Sequence, residues 1–264
     1  MKQNNLFGFN DDSPEEINIS KCMTFQRCPF EYKLRYIDKQ KSKWRQNLKM
    51  NLGILLHDLV SMQYKKILAH ENVQTTDRLI ENIWEKEKIK YGIYEKEYYN
   101  KLKSALNRFN ESPVSKIIPI ASEYRFDNLL GSNLRLSGRI DFIGKDNNDL
   151  QIWDFKLEES EIFSSNVEYE KYFQLIFYYY GVKDTFGTFA NRLGYYIFSN
   201  GKTITTKLTP ELLENGLLKI ERTIKEMREA NIFIPNINNY CSSCGYKYIC
   251  PAHINKSKGG CICL

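Results

Sequence analysis

Long hydrophobic runs, low-complexity tracts and proline are scarce in this chain of 264 residues. No apolar run approaches the roughly 18 residues that a membrane-spanning helix needs. The first twenty residues are polar and acidic, without the basic and apolar blocks of a signal peptide. With only 7 prolines, 42% hydrophobic and 27% charged residues, the composition argues against long disorder. We therefore expect a folded cytoplasmic protein with no membrane segment.

The length is more than one hydrophobic core usually needs and less than two large domains require. We expect one domain over residues 1–264, with a helical insertion at 59–115, where apolar residues recur at helical spacing. After Ser112-Pro113 the period shifts toward alternation, which predicts a sheet and an α/β (α+β) fold class. Strands are expected at 120–126, 134–143, 150–157, 194–199 and 202–207, and helices at 167–182 and after Pro210.

Positive charge is concentrated near the beginning of the chain, although the net charge is only +6. From Lys21 to Met50 there are nine Lys or Arg residues against two acidic ones, interleaved with aromatic residues. This composition suits a nucleic-acid contact. A solvated helix face is the competing interpretation.

Two aspartates are expected to face each other on a hairpin. If Asn147-Asn148 forms a two-residue turn, Asp141 lies directly opposite Asp154, and two unscreened carboxylates there would repel. Lys156 projects from the same face as Asp154, since side chains alternate along a strand. Paired carboxylates are also the hard ligands that Mg²⁺ or Mn²⁺ prefers. The alternative is a structural salt bridge on a surface hairpin.

The cysteines are odd in number, 7 in all, which disfavours a disulfide framework. Cys241, Cys244 and Cys250 form a compact trio within a Cys-rich tail at 241–264, and this spacing predicts a metal centre whose fourth ligand lies elsewhere. Cys28 and Cys22 are the candidates for that ligand. Spacing alone does not separate zinc from an iron–sulfur cluster.

Several motifs occur in an order that resembles a known family. Gly138-x-x-Asp141, Asp154-x-Lys156 and Gln174-x-x-x-Tyr178 resemble the PD-(D/E)XK nuclease superfamily, specifically its RecB-like branch. Gly53-x-x-x-His57 is similar to the upstream histidine motif of that branch. The opening helices, from Ser20 to Cys28-Pro29, are similar to its first helices.

The resemblance implies a restriction-endonuclease-like central mixed sheet flanked by helices, and it assigns roles to residues. Asp141, Asp154 and His57 would bind Mg²⁺ or Mn²⁺, and Lys156 would orient or deprotonate the attacking water. Gln174 and Tyr178, one helical turn apart, would position Lys156 or the DNA backbone. A carboxylate such as Glu123 is common on the preceding strand of the branch, with a less defined role.

The resemblance also implies a cofactor, a substrate and partners. Relatives such as AddB-type subunits and the CRISPR spacer-acquisition nucleases join an N-terminal cysteine to three C-terminal ones around a 4Fe-4S cluster. The ligands here would be Cys28, Cys241, Cys244 and Cys250. The implied function is a metal-dependent exonuclease acting on single-stranded or frayed DNA ends, in DNA repair or in CRISPR adaptation.

Any unwinding must come from a partner such as a helicase, because the sequence has no GxxxxGK[ST] phosphate loop. CRISPR adaptation proteins would be the partners in the other setting. Two alternatives stay open: a non-catalytic module that only holds DNA, and a zinc-ribbon interaction protein with an unrelated hairpin.

Overall fold

The structure is a computed structural model that describes residues 15–43, 48–91, 96–131, 134–147, 149–161, 167–186 and 190–257. The predicted turn residue Asn148, Trp44 in the basic stretch and residues 258–264 of the Cys-rich tail lie outside this set. Contacts divide the chain into two compact units. Unit 1 comprises residues 1–16 and 47–217, and unit 2 comprises residues 17–46 and 218–264. The single domain and its insertion at 59–115 stay predictions.

Six strands form one mixed sheet, which confirms the expected α/β architecture. Its order is β1-β3-β4-β5-β6, with β2 also paired to β3. β4 and β5 run parallel, whereas the β2–β3, β3–β4 and β5–β6 pairs are antiparallel. β1 was not predicted. The strands are β1 (Glu15–Asn18), β2 (Ile118–Leu130), β3 (Leu134–Asp146), β4 (Asp149–Lys156), β5 (Ala190–Ile197) and β6 (Thr203–Lys207).

The hairpin between β3 and β4 has the register that the sequence predicts. Phe142 pairs with Trp153 and Asp146 pairs with Asp149. Asn147 has a φ of 53°, the left-handed conformation that asparagine tolerates in tight turns. The β5–β6 hairpin turns at Gly201, whose φ is 74°.

Three long helices of unit 1 pack with the sheet around one hydrophobic core. The core includes Leu56 and Tyr64 from the first of these helices and Phe142 and Phe155 from the sheet, and all four side chains are buried. The Tyr64 ring stacks on Phe142 with centroids 4.1 Å apart. These helices are α3 (Leu48–Leu68), α4 (Thr76–Tyr91) and α5 (Lys96–Glu111), followed by a 3₁₀ turn at Pro113–Lys116.

The single helix predicted at 167–182 is two helices in the structure. They are α6 (Glu168–Lys171) and α7 (Phe173–Val182). Tyr172 separates them, with φ −99° and ψ 13°. The ring of Tyr172 stacks on Tyr195 of β5, with centroids 5.9 Å apart. Tertiary packing of that ring accompanies a break that helical periodicity does not show.

Unit 2 begins with the two predicted short helices, α1 (Ile19–Arg27) and α2 (Pro29–Tyr32), followed by a π-helical turn at Lys33–Ile37. Pro29 occupies the first turn of α2, as expected for a residue without a backbone N–H. The N-cap of α1 is Asn18, whose side chain accepts a hydrogen bond of 2.9 Å from the Lys21 backbone N–H. The remaining elements are α8 (Pro210–Glu229), which begins in unit 1, a 3₁₀ turn (Asn239–Ser243) and α9 (Pro251–Ser257).

Across the described residues, none of the helices combines the length and apolar character needed to cross a membrane.

Candidate active site and cysteine cavity

Three carboxylates lie in a row across adjacent strands of unit 1. In the β2–β3 register, Ser122 pairs with Phe142 and Tyr124 pairs with Ile140, so Glu123 stands across from Asp141. The β3–β4 register pairs Phe142 with Trp153, and its next step places Asp154 across from Asp141 on the other side. Residues directly opposite each other project from the same face of a sheet. The sheet therefore brings three acidic side chains to one site.

Helix α3 adds an imidazole to this row of acids. The Nδ1 atom of His57 lies 3.4 Å from Oδ2 of Asp141. Ligand atoms of His57, Glu123 and Asp141 all lie within 4.8 Å of one another, which makes them a candidate metal-binding group. Rings of Phe155 and Phe198 flank the imidazole, each with its centroid 5.9 Å away. Core aromatics thus fix where the imidazole lies.

Glu123 is held in an unusual backbone conformation. Its φ is 54°, a left-handed value that costs free energy in a residue with a Cβ atom. Its Oε2 atom accepts a 2.8 Å ion-pair contact from Nε of Arg139. Burial raises the pKa of this carboxyl, and the nearby charge of Asp141 adds to the effect. Such strain, next to other acids, is typical of a functional site.

Asp154 belongs to a different network, made by β4 and α7. Nζ of Lys156 lies 2.8 Å from Oδ2 of Asp154, and it donates a 2.9 Å hydrogen bond to Oε1 of Gln174. Nε2 of Gln174 donates to Oδ1 of Asp154 at 2.7 Å. The same amide lies 2.8 Å from the Tyr178 hydroxyl. Gln174 therefore fixes the positions of both members of the aspartate–lysine pair.

The pKa values of the two hairpin aspartates are shifted in opposite directions. Burial would raise the pKa of Asp141, yet the charge of His57, its hydrogen bond and the Phe155 N–H, which donates to Asp141 at 2.7 Å, hold that pKa below its usual value. Burial raises the pKa of Asp154 to about 6, against the opposing charge of Lys156. Asp141 is thus kept ionised, whereas the raised pKa of Asp154 lets this carboxylate take up a proton more readily.

The imidazole carries charge in the absence of metal. Burial alone would lower the pKa of His57, but the charge of Asp141 and the contact with it outweigh burial and raise that pKa to about 9. Two facing carboxylates would repel each other unless positive charge lies close to them. His57 beside Asp141 and Lys156 beside Asp154 supply that charge.

The donor set fits a hard divalent cation. Two carboxylates and one imidazole lie close together, while oxygen and nitrogen donors of this kind bind Mg²⁺ and Mn²⁺. Asp141 is buried and ionised at this position, and a bound cation would compensate its charge. His57, Glu123 and Asp141 are therefore the residues of this site that could hold a divalent metal.

The predicted site residues of unit 1 lie together. For one of them, Glu123, the sequence predicted only a loosely defined role. His57, Asp141, Asp154 and Lys156 meet at the hairpin, and α7 places Gln174 and Tyr178 beside Asp154. Glu123 proves to be a member of the candidate metal group. The β2–β3 register would have identified it, but this register depends on an irregularity between Pro119 and Ala121.

Four cysteines of unit 2 line a single cavity of about 30 Å³. Cys28 comes from the junction of α1 and α2, and Cys241, Cys244 and Cys250 come from the C-terminal loop. None of them forms a disulfide. Side-chain amides of Asn236 and Asn238 both donate to the Arg27 backbone carbonyl, at 3.0 and 2.9 Å, which fastens the loop to the end of α1.

The sulfur positions and the cavity lining restrict which cysteines could bind a metal centre together. Tetrahedral zinc with Zn–S bonds of about 2.3 Å requires sulfurs roughly 3.8 Å apart. Among the described cysteines, no three sulfurs lie within 4.8 Å of one another. Cys22, the rival fourth ligand, is completely buried and does not line the cavity. The sulfurs thus do not lie at zinc-binding distances in this structure, and Cys28 and the C-terminal trio are the described cysteines that share the cavity.

Comparisons with known proteins give one matching family and similar solved structures. A family model described as the PD-(D/E)XK nuclease superfamily matches residues 16–251. A crystal structure from Eubacterium rectale, described as "Putative exonuclease", has a TM-score of 0.50 at 11% identity, covering 95% of this chain and 90% of that one. The structure of a protein called SSO0001 has a TM-score of 0.40 at 14% identity, with 94% and 90% coverage. No curated protein sequence matches.

Proposed function

Because the chain belongs to the PD-(D/E)XK nuclease superfamily, whose members use divalent metals, we propose that its carboxylate row hydrolyses DNA phosphodiester bonds with Mg²⁺ or Mn²⁺. One observation carries the proposal: His57, Glu123 and Asp141 converge beside the Asp154–Lys156 pair on one face of the sheet. A metal-binding group and a poised aspartate–lysine pair are the two parts that such hydrolysis requires.

Residues of this chain would divide the work as follows. His57, Glu123 and Asp141 bind the metal, and Asp154 completes the set from the neighbouring strand. When bound, the metal lowers the pKa of a coordinated water and stabilises charge on the phosphate. Arg139, ion-paired with Glu123, neutralises part of the acidic charge. Core packing of His57 against Phe155 keeps the ligands in place before the substrate arrives.

Lys156 handles the attacking water in this proposal. Its Nζ is held between Asp154 and Gln174, so the ammonium points to a defined position. From there the ammonium donates a hydrogen bond that orients the water, and its positive charge stabilises the hydroxide that remains when the water loses its proton to solvent. Gln174 and Tyr178 are positioning residues, because they contact Lys156 and Asp154 rather than the reacting atoms.

We propose single-stranded or frayed DNA ends as the substrate, which makes the protein an exonuclease of the RecB-like branch. The motif order carries this assignment. Two settings supply such ends, recombinational repair beside a helicase and CRISPR spacer acquisition. A non-catalytic DNA-binding role is disfavoured, because the acidic row and Lys156 form one connected network.

The cysteine cavity is proposed to hold a 4Fe-4S cluster bound by Cys28, Cys241, Cys244 and Cys250. The cavity that the four cysteines share supports this assignment. The cluster would join residue 28 to residues more than two hundred positions later. We assign it a structural role, since such a link removes conformational freedom from the unfolded chain.

The proposed activity is tested by separating metal binding from chemistry. We expect Asp141→Asn to lose Mn²⁺ binding, measured by calorimetry, and cleavage of end-labelled DNA. Asp154→Ala and Lys156→Ala should lower the cleavage rate at least a hundredfold, and Lys156→Ala should still bind Mn²⁺, because its ammonium is not a ligand. All variants should remain folded by circular dichroism.

Matched controls come from a partly exposed ion pair outside the site. Lys183 and Asp184 form such a pair, so Lys183→Ala and Asp184→Asn repeat the charge changes outside the site. Both should cleave at the wild-type rate. The proposal is wrong if Asp154→Ala digests DNA as fast as the unmodified protein, or if the unmodified protein shows no cleavage with Mn²⁺ on any DNA end.

A further inference from the structure

Positive charge is distributed very unevenly between the two units. Unit 2 contains fifteen of the 38 Lys and Arg residues but only five of the 32 acidic residues, a net charge of +10. Unit 1 has the remaining residues and a net charge of −4. The acidic catalytic row and the positive excess therefore lie in different units. A polyanion would be attracted to unit 2 even without a bound metal.

Unit 2 also contains a groove with a suitable lining. Its volume is about 430 Å³, and Arg27, Arg35, Ser42, Tyr240 and Ser243 are among the residues along it, together with one acidic residue, Glu31. This volume is in the range that holds a small organic molecule, so one nucleotide of a flexible strand fits in it. Guanidinium groups and hydroxyls suit phosphate oxygens.

The walls of the groove are fastened together. The Lys43 backbone N–H donates to the Gly245 carbonyl at 3.0 Å. Hydroxyls of Tyr246 and Tyr248 donate to the carbonyls of Gln40 and Lys41, at 3.2 and 2.9 Å. These bonds tie the basic segment directly to the cysteine loop. A preformed groove avoids part of the ordering cost of binding.

Arg35 and Tyr240 offer two different kinds of contact. Within the part of the chain that the structure describes, Arg35 forms no ion pair, whereas Arg27 is paired with Glu31 at 2.8 Å. Tyr240 is 46% exposed, and the Arg27 guanidinium lies 5.2 Å from its ring centroid. An exposed ring supported by a cation is a stacking platform for an unpaired base. Arg35 is correspondingly available for a phosphate.

We propose that this groove of unit 2 binds single-stranded DNA, with a phosphate at Arg35 and an unpaired base stacked on Tyr240, independently of the catalytic metal. The inference rests on the proposed function for the identity of the polymer as DNA. Charge, groove size and the exposed ring together favour a single strand, because a base stacks on a side chain only when it is not paired.

The test measures binding without catalysis. Full-length protein is titrated into a fluorescein-labelled oligothymidylate of about 20 nucleotides, longer than one typical site, in EDTA at several salt concentrations. We expect Arg35→Ala to weaken binding several-fold and to reduce the slope of log Kd against log salt by about 0.7, as for one lost phosphate contact on a single strand. Tyr240→Leu should weaken binding about tenfold and leave the salt slope unchanged.

Controls distinguish the groove from general positive charge. Lys225→Ala removes an exposed cation of the same unit that does not line the groove, and it should change Kd less than twofold. Tyr240→Phe keeps the ring and should bind nearly as the wild type, which also guards against a folding defect next to Cys241. A blunt duplex of equal length should bind more weakly and should not respond to Tyr240→Leu.

The outcomes separate this inference from the proposed function. If Arg35→Ala and Tyr240→Leu behave like Lys225→Ala, or if the duplex responds equally to Tyr240→Leu, the groove assignment is overturned even when cleavage is normal. If the variants weaken binding as expected while Mn²⁺-dependent cleavage is absent, the groove assignment stands and the proposed nuclease activity fails.

Discussion

At the scale of single residues, His57 is the group whose protonation most depends on the fold. Its imidazole lies beside the ionised Asp141, and the pKa of His57 is raised to about 9 despite burial. In the unfolded chain the value returns to about 6.5. The native state therefore binds more protons than the unfolded state between these values, so rising pH removes stability over that window.

We predict that the metal-free protein becomes less stable as pH rises from about 6.5 to 9. His57→Gln should flatten this decline, because it removes the proton that the native state gains. Thermal unfolding in EDTA checks this, and the effect should be a few degrees, since about 1 kcal/mol shifts the midpoint by 2–4 °C in a chain of this size. His70→Gln, at an exposed histidine, should keep the wild-type decline. An unchanged pH slope in His57→Gln would contradict the assignment.

At the scale of secondary-structure elements, helix α7 is placed by close packing against one ring. A Cβ atom added at Gly181 would lie 2.2 Å from Phe126, and one added at Gly138 would lie 2.7 Å from the same ring. Phe126 is itself buried. The glycines thus allow α7 and β3 to approach the ring of β2. This approach fixes the helix that carries Gln174.

We predict that Gly181→Ala destabilises the protein by about 1–3 kcal/mol, the usual range for overpacking, and slows DNA cleavage by displacing Gln174. Urea unfolding measures the first effect and end-labelled DNA the second. Gly53→Ala is the matched helical control, because its nearest new contact is an ordinary 3.7 Å to Leu157. It should be neutral or slightly stabilising, as expected from helix propensity. Equal stability of both variants would refute the packing argument.

At the scale of the whole molecule, the cysteine cavity is lined by residues from both sequence segments of unit 2. Cys28 precedes α2, and the other three cysteines of the cavity lie beyond α8. The same loop carries Tyr240 and the hydroxyls that fasten the basic segment. The cluster proposed for this cavity would therefore stabilise the groove as well as the fold of unit 2. Loss of the cluster should therefore destabilise both the groove and the fold of unit 2.

We predict that Cys28→Ser removes most absorbance near 400 nm from anaerobically purified protein and lowers its thermal midpoint. The reason is that a cluster missing one ligand no longer closes the long loop between the ends of unit 2. Cys22→Ser should keep the absorbance, because Cys22 lies in the core and not at the cavity. Iron and zinc analysis accompanies the spectra. A colourless protein that contains zinc would overturn the cluster assignment.

The local pattern of the sequence was sufficient for five of the strands, the hairpin register and the ordered motifs. These depend on alternation, turn residues and short spacings, which act between near neighbours along the chain. These local signals missed the break at Tyr172, where long-range ring packing accompanies the interruption.

Only the tertiary structure decided which long-range partners meet. It made Glu123 a member of the candidate metal-binding group, because a strand irregularity and a left-handed backbone bring that carboxylate close to Asp141. It also placed Cys28 rather than Cys22 at the cavity of the C-terminal cysteines. Residues far apart in sequence are brought together by burial of apolar surface, which has no fixed spacing along the chain. The chemistry was therefore readable in the motifs, whereas its geometry required the folded protein.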